Sequence, residues 1–358
     1  MGWSAKIGRI FGIDLYIHAT FPLLFVWVGF VYWVQTGTLE GVLFGLSFIA
    51  VLFVCVVLHE YGHALTARRY GIGTRHITLL PIGGLAMLER MPKEPRQEIV
   101  VALMGPAVNV AIALALFLVL AVTGGGGEIM EPSLMPANFL QSVLYANIFL
   151  AVFNMLPAFP MDGGRVLRAA LSMRLGRLQA TRLAARIGQG LALLFGLLGL
   201  FGNPLLLLIA IFVWVGAAAE AGASEIETRL HRKPVSRAMI TDFHALSPDS
   251  TLGRAVDLTL AGTQKDFPVL DGHRLVGVAN QGAILRGLRD HGLEGRVADI
   301  MSDPVIAGLD DDLAGLLENL QQEETRLICI LDRGQLVGLV NIDNISEFLR
   351  IQSALQDR

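Results

Sequence analysis

His59, Glu60 and His63 stand in the order H-E-x-x-H directly after the apolar run VLFVCVVL at 51–58. Two histidines four residues apart share one face of a helix and can hold one metal ion. The glutamate between them can take a proton from water activated at that metal. The chemistry this spacing implies is zinc-dependent hydrolysis. Ionisable side chains within an apolar helix are costly and usually functional, so the motif is predicted to work at membrane depth, on membrane-embedded substrates.

A catalytic zinc takes three protein ligands and keeps one position open. Cys55 lies four residues before His59 but eight before His63, about 12 Å along a helix axis, and reads as core packing. Asp162 is the better third ligand. It lies in Asn154-Met-Leu-Pro157-Ala-Phe-Pro160-Met-Asp162-Gly163-Gly164-Arg165. Pro157 and Pro160 break a helix there, and Gly163 and Gly164 allow close backbone approach or unusual dihedrals.

These residues need apolar elements to carry them. The chain has 358 residues, 53% hydrophobic and 16% charged, with a mean hydropathy of +0.57, a membrane-protein composition. Six spans are expected, at about 15–34, 41–64, 98–122, 138–158, 187–201 and 203–220. The first is long enough to span and lacks the small-residue site of a cleaved signal peptide. Lys6 and Arg9 precede it. Further Lys and Arg cluster between spans two and three (Arg68 to Arg96, including Lys93), between spans four and five (Arg165 to Arg186), and after span six (Arg229, Arg232, Lys233). The alternate connections 35–40, 123–137 and 202–203 have none. The positive-inside rule then places both termini in the cytoplasm, and the loop arginines read as topology signals with no further role. Spans two and four both run inward, which brings His59, His63 and Asp162 to one depth. Between spans two and three, Thr74 to Arg90 reads as two short strands around Pro81-Ile82-Gly83-Gly84, a hairpin dipping into the membrane.

Residues 1–220 carry 14 Lys/Arg against 10 Asp/Glu, and 221–358 carry 14 against 21, net +4 and −7. A membrane domain over 1–222 and an acidic soluble domain over 223–358 are therefore expected. The soluble part repeats itself, at about 235–290 and 297–351. Phe267–Asn280 matches Ile328–Asn341, and Val235–Met239 matches Val297–Met301. Each unit reads as a lead-in, a helix, two strands and a helix. Cys55 and Cys329 form no disulfide framework. His18, His76, His231, His244, His273 and His291 have no ligand spacing and read as structural, loop or surface residues.

With these motifs the chain resembles the site-2 proteases, intramembrane zinc metalloproteases, in the branch with a C-terminal pair of CBS domains. His59 to His63 fits the first family motif, Asn154 to Gly163 fits N-x-x-P-x-x-P-x-D-G, Gly105-Pro106-Ala107-Val108-Asn109 fits G-P-x-x-N, and Pro81 to Gly84 fits the turn of the membrane hairpin. The resemblance implies a polytopic α-helical membrane protein with a membrane-associated β-hairpin, followed by a soluble α/β CBS pair, in a prokaryotic cell membrane. It implies one Zn2+ held by His59, His63 and Asp162, Glu60 as general base, and Asn154 at the oxyanion or orienting the substrate. It further implies single-span membrane proteins as substrates, a homodimer through the CBS domains, and the lipid bilayer as surroundings; no nucleic acid is expected.

CBS pairs often bind adenine nucleotides. Here the positions that commonly carry a hydroxyl are Asn280 and Asn341, and those of the ribose-binding carboxylate are Ala283 and Asn344; alanine cannot accept from a ribose. A catalytically silent scaffold would lack ligands that are present. A CBS-gated transporter gives no reason for the H-E-x-x-H spacing.

Overall fold

The computed structural model describes residues 3–92, 94–123, 139–230, 233–320 and 327–356. Lys93, Arg232, His231 and nearly all of the 123–137 connection lie outside them. The chain divides into two compact units, Met1–Ala223 and Ser224–Arg358.

The first unit opens as a hairpin, β1 (Ser4–Ile10) and β2 (Ile13–His18), followed by helix α1 (Phe21–Thr36). The first expected span is corrected here: residues 15–18 belong to a strand. The local cause is period-two burial, with Ile13 and Leu15 buried and Asp14 and Tyr16 less so, and a helix start fixed by Pro22 in the first turn. Next come α2 (Leu39–Arg69), a second hairpin β3 (Thr74–Leu80) and β4 (Gly83–Leu88), and helices α3 (Pro95–Val122) and α4 (Phe139–Asn154). The two hairpins form one sheet in the order β1-β2-β3-β4, with β2 and β3 parallel. The sheet is fastened to α2: Tyr61 Oη donates to the Ile10 carbonyl at 3.2 Å and Arg68 Nη1 to that of Phe11 at 3.0 Å. A shared core of Ile13, Leu15, Phe21, Phe53, Tyr61, Ala64, Ile77 and Leu79 lies between them.

Three helices complete the unit: α5 (Asp162–Ser172), α6 (Arg177–Phe201) and α7 (Pro204–Leu230), the last running past the unit boundary. Among the described residues, α2, α3, α6 and the Pro204–Ile226 part of α7 are long and apolar enough to cross a membrane. Helices α1 and α4 are apolar but only 16 residues each, about 24 Å. Helix α4 ends at Asn154, short of the expected 158, because Pro157 stops it. Helix α6 begins ten residues before the expected span.

The reading of the loop arginines as topology signals alone is overturned at Arg168. It lies in α5, 2% exposed. Its guanidinium pairs with Glu98 of α3 and Glu220 of α7 and lies over the Phe159 ring, 5.3 Å from the centroid; Arg177 of α6 approaches Glu98 at 3.6 Å. A buried guanidinium is tolerated when its five donors meet carboxylates. This one ties the helix that begins at Asp162 to α3 and α7.

The second unit holds two repeats with separate cores. The first has α8 (Leu252–Ala261), β5 (Phe267–Asp271), β6 (Arg274–Ala279) and α9 (Gln281–His291). The second has β7 (Val305–Gly308), α10 (Leu313–Leu320), β8 (Ile328–Asp332), β9 (Gln335–Val340) and α11 (Ile342–Gln356). The matched lead-ins form matching 3-10 turns at Val235–Arg237 and Val297–Asp299. They are exchanged: Ile240 bridges Leu339 of the second repeat, and Ser302 bridges Val278 of the first. Glycine allows close approach at both crossings: a Cβ at Gly277 would meet Met301 Sδ at 2.9 Å and the Ser302 carbonyl at 3.1 Å, and one at Gly338 would meet Met239 Sδ at 2.7 Å and the Ile240 carbonyl at 3.1 Å. Asn280 caps α9 by accepting from Ala283 N–H at 2.8 Å, and Asn341 and Asn344 cap each other. Cys329 is buried in β8, which pushes its thiol up to about 12 and keeps it protonated.

Candidate active site

Thr38 starts α2, its side chain accepting from Gly41 N–H at 3.1 Å, and the helix then runs unbroken to Arg69. Each motif position meets a different neighbour. Tyr61 turns to the sheet. Gly62 lets α3 approach, since a Cβ there would meet the Met104 carbonyl. His59 and His63 are buried on a third face.

Asp162 arrives from α5. Between Asn154 and Met161 the chain folds back on itself, and both glycines are used by close approach: a Cβ at Gly163 would run into the carbonyls of Met155 and Leu156, and one at Gly164 would lie 2.6 Å from the Ala158 carbonyl carbon. Neither has the left-handed φ that the sequence left open. Asp162 is buried as the first residue of α5, where the helix dipole favours an anion.

Three atoms converge. His59 Nε2 and His63 Nε2 are 3.1 Å apart, and Asp162 Oδ2 is 3.2 Å from each. Tetrahedral ligands ~2.0–2.2 Å from zinc stand roughly 3.3–3.5 Å from one another, close to this triangle. The hydrogen bonds on the far side of the rings decide what the three atoms are. His63 Nδ1 donates to the Val101 carbonyl at 2.8 Å, so in the neutral ring Nε2 presents a lone pair. His59 Nδ1 meets Asn109 Oδ1 at 2.6 Å, and in the neutral ring its Nε2 likewise points in as an acceptor. Two imidazole nitrogens and a carboxylate oxygen gathered this closely, with both Nδ1 atoms engaged elsewhere, form a donor set suited to a cation. Among the described residues this is the one His/Cys/Asp/Glu cluster shaped for a metal.

Space for the ion comes from Gly105 of α3. A Cβ there would lie 2.6 Å from His59 Nε2 and closer still to His63 Nε2. The donor set and this cradle fit zinc. Gly105→Ala adds one methyl to a helix that tolerates alanine well and is expected to leave the fold intact while reducing bound metal at least ~10-fold; metal content of the purified variant checks this.

Glu60 projects elsewhere on the helix. The Ala86 N–H of β4 donates to Glu60 Oε2 at 3.1 Å, and Gly84 leaves room for its stem. The second hairpin, read as dipping strands, therefore reaches the glutamate directly. Asn154 is the last residue of α4, half-buried. Cys55 stays away from the metal cluster; its Sγ takes an N–H from Asn147 at 3.4 Å. Asn147 was not singled out from the sequence: an isolated asparagine in an apolar helix carries no spacing to a ligand. Asn109 sat in a motif but gave no sign of which group it serves.

An H-E-x-x-H helix completed by a distant aspartate, set among apolar membrane-length helices, defines a membrane metallohydrolase. The chain is 33% identical to the zinc metalloprotease MJ0392 of Methanocaldococcus jannaschii, over 99% of this chain and 98% of that one. It is 28% identical to Rip3 of Mycobacterium tuberculosis over 99% and 94%. A solved structure of a site-2 protease from M. jannaschii is 37% identical over 61% of this chain and 95% of that one, with a TM-score of 0.46. The model of peptidase family M50 matches residues 47–143 and 128–196, and that of the CBS domain matches 235–290. The chain belongs to the site-2 protease family, peptidase family M50, and is a multi-pass membrane zinc metalloprotease with C-terminal CBS repeats.

Proposed function

We propose that the chain is an intramembrane endopeptidase that cuts single-span, membrane-tethered proteins within their apolar segment, with both termini and the CBS pair in the cytoplasm. The observation that carries this reading is the triangle of His59, His63 and Asp162 set among membrane-length apolar helices. The orientation rests on the Lys and Arg of alternate connections.

In this reading His59 and His63, through Nε2, and Asp162, through Oδ2, hold the zinc. Bound there, zinc supplies an activated water near neutral pH and polarises a peptide carbonyl. Glu60 moves the proton. With Oε2 held by the Ala86 N–H, its other oxygen takes the proton of the attacking water and returns it to the leaving amine. Asn154, at the end of the helix that leads to Asp162, has an amide able to donate to the carbonyl oxygen as charge develops. A membrane helix hides its peptide bonds and must unwind first. Strand β4 is the last in its sheet and can take the unwound segment as a further strand, through main-chain hydrogen bonds.

The CBS pair would modulate access, and pairing of two copies through it fits the reading. Adenine nucleotide is a poor fit as its signal, because Asn280, Asn341 and Asn344 are engaged in helix caps and Ala283 offers no acceptor.

The test is cleavage in lipid vesicles that hold the purified chain and a single-span substrate. Products mapped by mass should end within the apolar segment, disappear with a chelator and return with zinc. Cleavage confined to soluble loops, or untouched by full metal removal, would overturn the reading.

A further inference from the structure

Behind His59 lies a chain of side-chain amides that crosses three helices. His59 Nδ1 is 2.6 Å from Asn109 Oδ1 of α3. Asn109 Nδ2 donates to Asn147 Oδ1 of α4 at 2.9 Å. Asn147 Nδ2 donates to the Val143 carbonyl at 2.9 Å and to Cys55 Sγ, one turn before His59 on α2, at 3.4 Å. Asn109 and Asn147 are both 0% exposed.

The direction of this chain is forced from its far end. A backbone carbonyl only accepts, so the Asn147 NH2 must face Val143, and its oxygen must face Asn109. The Asn109 NH2 therefore faces Asn147, and its oxygen faces His59. An amide oxygen cannot donate, so Nδ1 of His59 must carry a proton, and in the neutral ring that binds a metal Nε2 is left as a lone pair aimed at Asp162 and His63. Orientations that are otherwise open for amides and imidazoles are settled here by one carbonyl. We infer that Asn109, locked by Asn147 against Val143, is a positioning residue that fixes the tautomer and ring plane of His59 for the metal. The role is independent of any contact with substrate. His63 has the same service from the Val101 carbonyl, so the two ligands are set by different means and only one can be altered by a side-chain substitution.

This inference rests on the metal reading of the site, and zinc affinity of the purified chain, by competition with a chelator, separates the two. Wild type without zinc affinity would refute the metal reading itself. Given a zinc-binding wild type, Asn109→Leu, close in volume but unable to accept, should bind zinc 10–100-fold more weakly. Asn109→Asp keeps the acceptor and should bind at least ~10-fold more tightly than Asn109→Leu, since a carboxylate behind a metal-bound histidine raises its basicity. Folding stability should rank the other way, because the aspartate buries a charge and faces the Asn147 oxygen with a second acceptor. A merely structural asparagine would give affinities that follow stability, or equal affinities in all three, and either result overturns the inference. Should Asn109→Asp not fold, the unmutated protein with 15N-labelled histidine rings decides. In the zinc-loaded form the His59 resonance, identified by its loss in His59→Ala, must carry its proton on Nδ1. A proton on Nε2 would refute the relay.

Discussion

Glu60→Gln should abolish peptide cleavage while leaving zinc bound at the wild-type level. The amide matches the carboxylate in shape and can still accept from the Ala86 N–H, so the β4 contact and the packing against Gly84 persist. It has no basic oxygen to take a proton. General acid–base groups contribute ~10²–10⁴-fold, and the expected fall in kcat of that size corresponds to about 2.7–5.4 kcal/mol of barrier. KM and the melting temperature should move little. Single-turnover cleavage with metal content measured on the same preparation decides the matter. A variant that keeps zinc and cleaves at the wild-type rate would remove Glu60 from the mechanism, and one that loses zinc would make it a metal-site residue.

That glutamate was legible from five consecutive residues because helix geometry ties spacing to direction: positions 59 and 63 share a face. Asp162 was legible for another reason, since two prolines ended α4 and the following glycines admitted a return of the chain. The six apolar helices, the second hairpin and both repeats were readable from periodicity and composition. Helix ends inside lipid-like sequence were not: hydropathy at residues 15–18 is the same for a strand as for a helix, and the pairing of Leu15 with Gly8 and Ile77 across the sheet is what the sequence pattern alone does not show. The arginines between spans four and five looked alike in sequence. Burial of Arg168 alone depends on Glu98 and Glu220, which lie 70 and 52 residues away. The amides behind His59 were hidden in the same way, because an asparagine in an apolar helix declares that it needs a partner but not which one.

Asp162→Asn should sever the link between α5 and the metal without unfolding the chain. Roughly 10–16 kcal/mol of binding is spread over four ligands at structural zinc sites, so one ligand accounts for about 3 kcal/mol, ~10²-fold in affinity. The consequence for stability differs with the metal present or absent. Stripped of zinc, wild type holds Oδ2 and two imidazole nitrogens within 3.1–3.2 Å of one another, and a proton taken up by one ring can bridge it to the carboxylate. The amide of Asp162→Asn brings a donor into that triangle and can satisfy one ring nitrogen directly. The metal-free variant, whose amide replaces that shared proton as the donor, should therefore melt close to metal-free wild type. With zinc added at ~1,000 times the wild-type Kd, wild type should gain about 4 kcal/mol by linkage, while the variant gains at least ~2 kcal/mol less because its Kd is that much weaker. Thermal melts of both proteins with and without zinc measure all four states and require no substrate. Equal zinc-induced gains would exclude Asp162 as a ligand, and a metal-free variant that melts well below wild type would mean that the carboxylate serves the fold first.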